Sequence, residues 1–430
     1  MKILLGSKFF FINGGTEKYL YDLMGQLRLM GHTPIPFSVR YSGIWDSSYN
    51  QYFLPPPGHP DHAHYKNIEL TATNWVRFLD RSIYSIEARY YLSRLLKEEE
   101  DIQIGYLLNI YNYMSPSIIH SLKKNSIPVV MQIGDYHLLC PNYSFLRDGK
   151  PCTLCIHGAY YHGFRYLCVK GSVRASALRV ASMYIQKWLD IYKLVDAFVV
   201  PCLFMKTKLV EGGFPEERIH LMHYPVTQSI GADGGGNKKN YIIYVGRISY
   251  EKGLDTLIEA YQELSPPVDL VFIGRSQDGE MERLKGIIRP EHGSRIQFVG
   301  FKTGPELYRW IAEALFSVVP SRWYDNAPIS IYESFVHGTP VLASNIGGIP
   351  EQIQDGVNGR LFIPDSKEDL KDAMEWMLSD RKRLEIMGRA GQDYALKNLS
   401  IEEHTGKLMG LFESLLSGKN HEDGSKGKKD

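Results

Sequence analysis

Two cations lie in a glycine-bounded segment that could hold a phosphate group. The segment Gly246-Arg247-Ile248-Ser249-Tyr250-Glu251-Lys252-Gly253 directly follows an apolar stretch, residues 241–245, that is typical of a buried strand. Gly246 allows a close approach of the backbone to a ligand, and Gly253 leads into a predicted helix whose first turn also favours anions. Arg247 and Lys252 therefore indicate a diphosphate site. A surface turn with two solvated charges is the alternative interpretation.

Two acids with a fixed spacing follow further along the chain. Asp325 falls in a loop, and Glu333, eight residues later, lies about one turn into a helix predicted to start near Pro328. A proline at the first helical position leaves the preceding amides of Asn326 and Ala327 available to a ligand. Because carboxylates accept hydrogen bonds from sugar and ribose hydroxyls, we interpret the segment as a hydroxyl-binding site. The alternative is a helix-capping acid followed by a solvated glutamate.

Two glycine pairs occupy predicted turns. Gly14-Gly15 stands at the first strand–helix junction, and Gly347-Gly348 follows a short apolar strand. The first pair does not belong to the G-x-G-x-x-G fingerprint of dinucleotide-binding proteins, which disfavours a dehydrogenase. We expect Gly14 and Gly15 to let a loop pass close to a ligand held by the other half of the chain. A tight turn is a sufficient explanation for Gly347 and Gly348 alone.

Four of the five cysteines lie within 29 residues. Cys152 and Cys155 form a C-x2-C pair, which fits one half of a zinc site, and Cys140 and Cys168 could complete it. Inert thiols and redox chemistry are the alternatives. A zinc site here would cross-link an insertion near the acceptor side, with neighbouring histidines as competing ligands.

The elements that must position these residues follow an α/β rhythm that starts twice. Residues 2–6 predict a strand, 16–30 an amphipathic helix and 33–39 a second strand, which is a βαβ unit. Residues 74–100 and 173–195 predict long helices. The composition breaks at 229–240, which contains Gly234-Gly235-Gly236, and the rhythm then restarts. These patterns predict a first domain over 1–228, with a cysteine-containing insertion at about 140–170. A linker over 229–240 leads to a second domain over 241–398. A helix over 399–416 could pack back on the first domain, and a flexible tail over 417–430 follows it.

Bulk composition excludes some functions. The chain has 430 residues, 44% of them hydrophobic, which suits two globular domains. With 49 basic and 48 acidic residues the net charge is +1, so bulk charge does not favour nucleic-acid binding. The sequence shows neither a signal-peptide pattern nor an apolar window long enough to span a membrane, which predicts a cytoplasmic protein.

Together these motifs resemble those of the family-4 glycosyltransferases, in the glycosyl transferases group 1. The resemblance covers Met1 to about residue 416 and rests on the order and spacing of the motifs, including Gly31-His32 and Gly347-Gly348-Ile349-Pro350-Glu351. It implies the GT-B fold, in which two Rossmann-like α/β domains face each other across a cleft. It also implies a retaining transfer of a sugar from a UDP- or GDP-linked donor to a polysaccharide or lipid-linked acceptor, without a metal in the transfer step.

The resemblance assigns roles residue by residue. Arg247 and Lys252 would bind the diphosphate and stabilise the leaving nucleotide, Glu333 would bind the ribose, and Asp325 would contact the transferred sugar. The other residues expected at the donor are Gly14, Gly15, Gly246, Gly300, Phe301, Asn326, Ala327 and Pro328. Gly300 and Phe301 would border the nucleobase. Asp135 and His137 would lie on the acceptor side.

Two departures from the family pattern keep other functions open. Asp325 stands where the family usually has glutamate, and Gly134 stands where a histidine usually precedes Asp135. A degenerate sugar-nucleotide-binding or scaffolding subunit is therefore an alternative, as is a nucleotide-sugar isomerase on the same fold. Residues 158–187 mix aromatic and basic side chains, which fits either peripheral contact with anionic lipid or a solvated helix with an aromatic seam.

Overall fold

The computed structural model describes residues 1–59, 61, 72–226, 238–265, 268–277 and 279–426. The expected linker lies outside the described residues over 229–237, and so do the last four residues of the expected tail, 427–430. The described chain forms two α/β units, each built on a six-stranded parallel sheet.

The first unit carries eight strands, six of which form its parallel sheet. The strands are β1 (Lys2–Ser7), β2 (Thr33–Phe37), β3 (Ile102–Leu108), β4 (Val129–Gln132), β5 (Leu146–Arg147), β6 (Lys150–Pro151), β7 (Ala197–Val200) and β8 (Ile219–Leu221). The sheet order is β2-β1-β3-β4-β7-β8, while β5 and β6 pair as a separate antiparallel hairpin. Most sheet residues are buried on both faces, as expected for parallel strands covered by helices.

Eight helices surround this sheet: α1 (Gly15–Leu29), α2 (Ala72–Ile83), α3 (Ile86–Glu98), α4 (Tyr111–Met114), α5 (Ser117–Lys124), α6 (Tyr161–Arg165), α7 (Val173–Trp188) and α8 (Leu203–Glu211). The single helix predicted over 74–100 is thus two helices. The break occurs because Ser85 caps α3 by accepting the Ala88 amide at 3.0 Å, while Asp80 accepts the Ile86 amide at 3.0 Å. The helix predicted over 173–195 ends at Trp188 and is followed by a short 3₁₀ turn.

The second unit repeats the doubly wound pattern. Its strands are β9 (Tyr241–Val245), β10 (Asp269–Ile273), β11 (Ile296–Phe298), β12 (Ser317–Val319), β13 (Val341–Ser344) and β14 (Gly359–Phe362), in the order β11-β10-β9-β12-β13-β14. Its helices are α9 (Leu254–Tyr261), α10 (Glu280–Lys285), α11 (Gly304–Glu313), α12 (Ile329–Val336), α13 (Lys367–Leu378) and α14 (Arg381–Asn398). In both sheets the strand order reverses direction beside the first strand, which is where open α/β sheets hold ligands.

A last helix, α15 (Ile401–Lys426), returns to the first unit. Its buried Leu408 and Phe412 share a hydrophobic cluster with Leu20 of α1, and its His404 contacts Tyr19 through a 2.8 Å hydrogen bond. The helix α15 continues to Lys426, so its backbone extends into the segment predicted as a tail from residue 417. The flexibility of that segment stays a prediction.

Candidate functional site

The two sheets meet along the carboxyl ends of their strands. Side-chain hydrogen bonds join the two sides: Lys18 Nζ to Glu333 Oε1 at 3.0 Å, Asn326 Nδ2 to the Gly134 carbonyl at 2.8 Å, and Arg275 Nη1 to Asn13 Oδ1 at 3.4 Å. The Glu351 carboxylate also accepts the amides of Leu203 at 2.6 Å and Phe204 at 2.7 Å. Each comes from a loop or helix that follows a strand. The strand order of both sheets therefore predicts a ligand site in the cleft between the units.

Arg247 stands at the end of β9 with its guanidinium partly open to the cleft. Gly246 has φ 158°, and the Tyr244 hydroxyl donates to the Arg247 carbonyl at 2.5 Å, which fixes the turn. The guanidinium contacts Glu251 Oε1 at 3.2 Å and Gln277 Oε1 at 3.4 Å, and 41% of the side chain is exposed. Burial lowers the pKa of Arg247, but Glu251, Tyr143, Asp325 and Tyr244 together outweigh this effect, so the pKa lies above the usual value. The residue is a positioned, permanent cation.

Lys252 and Asp325 form an ion pair inside the second unit. Lys252 Nζ lies 2.5 Å from Asp325 Oδ2, and the Ser321 hydroxyl donates to the same oxygen at 2.8 Å. Lys252 Nζ also lies 5.3 Å from the centre of the Trp323 ring. Only 13% of the lysine side chain and 9% of the aspartate side chain are exposed. The structure thus joins the predicted diphosphate cation to the predicted sugar-binding acid, and it leaves Asp325 Oδ1 outside this pair.

The Gly347-Gly348 turn packs beneath the loop that carries Asp325. The Gly348 amide donates to the Asp325 carbonyl at 2.8 Å, and Gly347 has φ 63°. A Cβ at Gly348 would overlap the Asn326 carbonyl oxygen and lie 2.6 Å from Cys202 Sγ. Both glycines are therefore required for the close approach of two backbones, which a simple tight turn would not need.

Glu333 is paired across the cleft in this structure. Its Oε1 accepts from Lys18 at 3.0 Å, and Lys18 Nζ lies 5.4 Å from the centre of the Tyr308 ring. Burial alone would lower the pKa of Lys18, but the contacts with Glu333 and Tyr308 together outweigh it and raise that pKa above the usual value. The acid predicted to bind ribose thus faces α1 of the first unit.

Asn326, Ala327 and Pro328 link the acid loop to the first unit. The Asn326 side-chain amide donates to the Gly134 carbonyl, while the buried Ala327 belongs to the same hydrophobic cluster as α1. Pro328 occupies the N-cap of α12, with Ile329 as the first helical residue, so the helix begins one residue later than predicted. The assignment of the Asn326 and Ala327 amides to a ligand stays a prediction.

The Gly14-Gly15 loop faces the start of α12. A Cβ at Gly15 would lie 2.7 Å from Ile329 Cδ1, whereas a Cβ at Gly14 would meet only Glu17, at 3.6 Å. The neighbouring Asn13 accepts the cross-cleft hydrogen bond from Arg275. Gly15 is therefore the residue whose missing side chain allows the two units to approach each other here.

Gly300 and Phe301 lie beside the end of β10. Gly300 has φ 76°, and its carbonyl accepts the Gly274 amide at 3.0 Å. The Arg275 guanidinium lies 4.0 Å from the centre of the Phe301 ring, and 41% of Phe301 is exposed. An aromatic face with an arginine on it suits a flat ligand ring at this end of the cleft.

Asp135 and His137 form a hydrogen-bonded pair on the first unit. Asp135 Oδ1 accepts from His137 Nδ1 at 2.7 Å and from the His137 amide at 3.0 Å. The imidazole is stacked between Tyr111, at 4.3 Å, and Tyr143, at 5.0 Å. Burial lowers the pKa of His137 below its usual value, even though Asp135 opposes that shift. Burial raises the pKa of Asp135, but the contacts with His137 lower it. The pKa of Asp135 therefore lies below its usual value. A neutral, oriented imidazole beside a carboxylate can hold a sugar hydroxyl.

Packing against Tyr224 explains why residue 134 is a glycine. A Cβ there would lie 3.0 Å from the Tyr224 hydroxyl, and the Gly134 carbonyl receives the Asn326 amide. The place in which the resemblance expects a histidine is thus bordered by Tyr224 and by the donor-side loop.

Four cysteines gather away from the cleft centre. Cys140, Cys152, Cys155 and Cys168 line one small cavity, whereas Cys202 caps α8. Over the described part of the chain, no three histidine, cysteine, aspartate or glutamate side chains are already placed as ligands of one metal ion.

Several residues at the cleft were missed in the sequence: Lys18, Arg275, Tyr143 and Tyr224. For Arg275 there was a signal, since Gly274-Arg275 follows β10 just as Gly246-Arg247 follows β9. The others carry no local pattern, because their partners lie far away in the sequence.

In the described residues, no helix is both long and apolar enough to cross a membrane.

Comparison with solved structures identifies the fold. The chain resembles sucrose-phosphate synthase from Thermosynechococcus elongatus with a TM-score of 0.71, at 16% identity, over 97% of this chain and 99% of that one. It resembles Anabaena HepE, solved in complex with UDP-glucose, with a TM-score of 0.64 at 16% identity, over 96% of this chain and 100% of that one. The two facing units therefore have the GT-B fold of glycosyltransferases.

A family model matches the second unit. Residues 229–394 match the model of the glycosyl transferases group 1. A curated relative, spore coat protein SA of Bacillus subtilis, is 28% identical over 229 residues. That alignment covers 50% of this chain and 60% of the relative, so the chain spans less than two thirds of it.

Proposed function

We propose that this protein is a retaining glycosyltransferase that moves a hexosyl group from a nucleotide-diphospho-sugar to a polysaccharide or lipid-linked acceptor. The observation that carries the proposal is the convergence of Arg247, Lys252, Asp325 and Glu333 at the carboxyl ends of one sheet, facing Gly15 of the other unit. Two cations and two acids at this position match the charge pattern of a diphosphate between two polyhydroxylated groups.

The donor would lie along the second unit. The diphosphate binds Arg247 and Lys252, and the ribose hydroxyls donate to Glu333, which then shares its carboxylate between the ribose and Lys18. The base stacks near Phe301 and Arg275. Asp325 Oδ1 accepts from the transferred sugar, since Oδ2 already receives Lys252 and Ser321. HepE, which shares this fold, was solved in complex with UDP-glucose, and this supports a uridine nucleotide as the first donor to test.

Catalysis would consist of stabilising the leaving group. As the bond between the anomeric carbon and the diphosphate oxygen breaks, negative charge builds on the diphosphate, where Arg247 and Lys252 are already oriented. Lys252 is held by a nearly buried ion pair and needs little reorganisation. The acceptor hydroxyl attacks on the face that the diphosphate leaves, and the departing diphosphate takes its proton. Retention at the anomeric carbon follows from attack on that same face. No metal enters this step.

The acceptor would approach from Asp135 and His137. The hydrogen bond between Asn326 and the Gly134 carbonyl supports this assignment, because it connects the segment that carries the pair to the loop proposed to hold the transferred sugar. The Tyr111–His137–Tyr143 stack offers aromatic faces against which a sugar ring packs well.

A lipid-linked acceptor would require contact with a membrane surface at the cytoplasmic face. Tyr161, Phe164 and Tyr166 are exposed beside Arg165 and Arg174, whereas Tyr160 and Arg179 of the same stretch are buried. Exposed aromatic and basic side chains together favour anionic lipid interfaces.

Vesicle sedimentation tests this contact. The chain should pellet with vesicles containing phosphatidylglycerol and stay in solution with purely zwitterionic ones. The double variant Arg165→Glu/Arg174→Glu should lose this binding, whereas Lys382→Glu/Arg389→Glu, exposed on the second unit, should keep it. Equal binding of all three proteins would refute the assigned surface.

The proposed activity is tested by mass spectrometry of the products. The chain is incubated with each UDP-, GDP- and ADP-sugar, with and without lipid-linked oligosaccharides from a cell extract. A transferase releases the nucleoside diphosphate and adds one hexose mass to an acceptor. An isomerase would change the donor sugar without an acceptor, and a degenerate binding subunit would bind a donor without turnover. Either of the last two results would overturn the proposal.

A further inference from the structure

The segment over 140–168 has little regular structure of its own. It contains only the two-residue strands β5 and β6 and the five-residue helix α6. Left-handed backbone conformations occur at non-glycine residues of this segment and just beyond it: Tyr143, Phe145, Asp148, Leu167 and Lys170. A small hydrophobic cluster joins its Cys155 and Tyr160 to Val180 and Met183 of α7, while its Cys140, Phe145 and Ile156 join the main core of the first unit. A segment with so little regular structure is the kind that proteins cross-link.

Four cysteines from separate parts of this segment line one cavity. The cavity has a volume of about 20 Å³ and is bordered by Cys140, Cys152, Cys155 and Cys168. That volume holds roughly one water-sized particle. The folding of the segment therefore brings together four thiols that are spread over 29 residues around a space suited to a single ion.

Two buried nitrogen atoms at the same cavity lack a partner among the described residues. Arg147 Nη1 and His162 Nδ1 are both buried without a hydrogen-bond acceptor or donor, and both residues line the cavity. The Arg147 guanidinium is fixed above the Tyr166 ring at 4.2 Å. Neutral thiols are weak acceptors, whereas metal-bound thiolates carry charge and accept hydrogen bonds from such groups.

We propose that Cys140, Cys152, Cys155 and Cys168 bind one zinc ion as thiolates, with Arg147 donating to the sulfur atoms. The four thiols release their protons when the ion binds. Since the sulfurs are not yet at ligand spacing in this structure, side-chain rotation brings them to about 2.3 Å from the zinc. Four thiolates around Zn²⁺ leave a net charge of −2, which the Arg147 guanidinium partly offsets.

The zinc ion braces the acceptor side of the cleft. Tyr143, three residues after Cys140, stacks on His137. Gly149 in the hairpin between Arg147 and Cys152 approaches the second unit so closely that a Cβ there would lie 2.7 Å from the Tyr250 hydroxyl. The site thus fixes a segment that touches both the acceptor-side pair and the Arg247–Lys252 segment, although its occupancy does not depend on the proposed activity.

Metal analysis of the full chain, purified under reducing conditions, tests the site. We expect about one zinc per chain by plasma mass spectrometry. Cys152→Ser and Cys155→Ser should each reduce the bound zinc at least about tenfold. Cys202→Ser is the matched control, because this fifth cysteine lies outside the cavity, and it should retain the metal.

Cobalt substitution keeps the test informative if a serine variant does not fold. Chain stripped of metal by a chelator and titrated with Co²⁺ should show thiolate-to-cobalt charge-transfer absorption that saturates at about one equivalent. Zn²⁺ should displace this signal. The proposal is overturned if the chain binds neither ion, if Cys152→Ser and Cys155→Ser keep their zinc, or if intact-mass measurement shows that these cysteines form disulfides.

Discussion

Replacing Gly348 by alanine should damage the donor site without unfolding the protein. Gly348 lies beneath the Asp325–Asn326 loop, where a Cβ would overlap the Asn326 carbonyl oxygen and lie 2.6 Å from Cys202 Sγ. An ordinary contact needs at least 3.4 Å, so the overlap with the Asn326 carbonyl requires the loop to move by more than about 1 Å to admit the methyl group.

This movement sets the expected magnitude. A misplacement of about 1 Å in a catalytic group can cost roughly 100-fold in rate. Overpacking at a buried position costs about 1–3 kcal/mol of stability, which a chain of this size tolerates. We therefore expect Gly348→Ala to retain its fold and to lose about 100-fold in transfer rate, because Asp325 and its partner Lys252 move together.

The assay compares Gly348→Ala with Gly410→Ala in initial transfer rate and in melting temperature. Gly410 is exposed on α15, and a Cβ there would have nothing within 4 Å, so alanine should leave the rate unchanged and add slight helix stability. A Gly348→Ala protein with the wild-type rate would refute the claim that the double glycine positions the acid loop. A protein that lost rate only in proportion to lost folded protein would refute it equally.

Three further predictions follow from individual contacts. Glu333→Gln should weaken binding of the nucleoside diphosphate about fivefold, since hydrogen bonds to a charged acceptor exceed neutral ones by about 1 kcal/mol. Calorimetry should show unchanged binding of pyrophosphate, and equal losses for both ligands would contradict the ribose assignment. Burial lowers the pKa of His404 to about 4, below the roughly 6.5 of an unfolded chain. Below pH 6.5 the unfolded state therefore binds a proton that the native state does not bind. Between pH 7 and pH 5 this group lowers the free energy of unfolding by about 2 kcal/mol. His404→Gln should lose less melting temperature over that interval than wild type, and an identical pH dependence would show that His404 is not the titrating group. Asn326→Leu should slow transfer more than it weakens donor binding, because its amide joins the acid loop to Gly134 on the acceptor side; rate and affinity that fall equally would argue against this link.

The sequence allowed the prediction of the parallel α/β architecture, because buried strands and amphipathic helices have local periodicity. It also singled out Arg247 and Lys252, which lie in the segment after β9, and Asp325 and Glu333, which lie in the loop after β12 and in α12. Their roles at a donor stay predictions. It did not show that Asp325 pairs with Lys252, which is 73 residues away, nor that Glu333 pairs with Lys18, which is 315 residues away. Such pairs depend on how two units pack, and no local pattern encodes that.

Two local errors have a similar origin. The helix predicted over 74–100 is interrupted because the Ser85 and Asp80 side chains hydrogen-bond backbone amides, a competition that apolar periodicity does not report. Gly347 and Gly348 were sufficiently explained as a turn, and only the proximity of the Asp325–Asn326 backbone shows why both must be glycine.

The central claim is that Arg247 and Lys252 bind the diphosphate of a nucleotide-sugar, and a thermal-shift panel tests it most directly. The melting temperature of the wild-type chain, Lys252→Met and the exposed control Lys382→Met is measured with UDP, GDP, ADP and their sugar conjugates. A ligand that binds only the native state raises the melting temperature. At about 100 times its Kd, such a ligand raises the free energy of unfolding by about 2.7 kcal/mol. Our account predicts a clear rise with one nucleotide series for the wild type and Lys382→Met, and a loss of that rise for Lys252→Met. A chain that responds to none of these ligands, or a Lys252→Met variant that responds like the wild type, would contradict it.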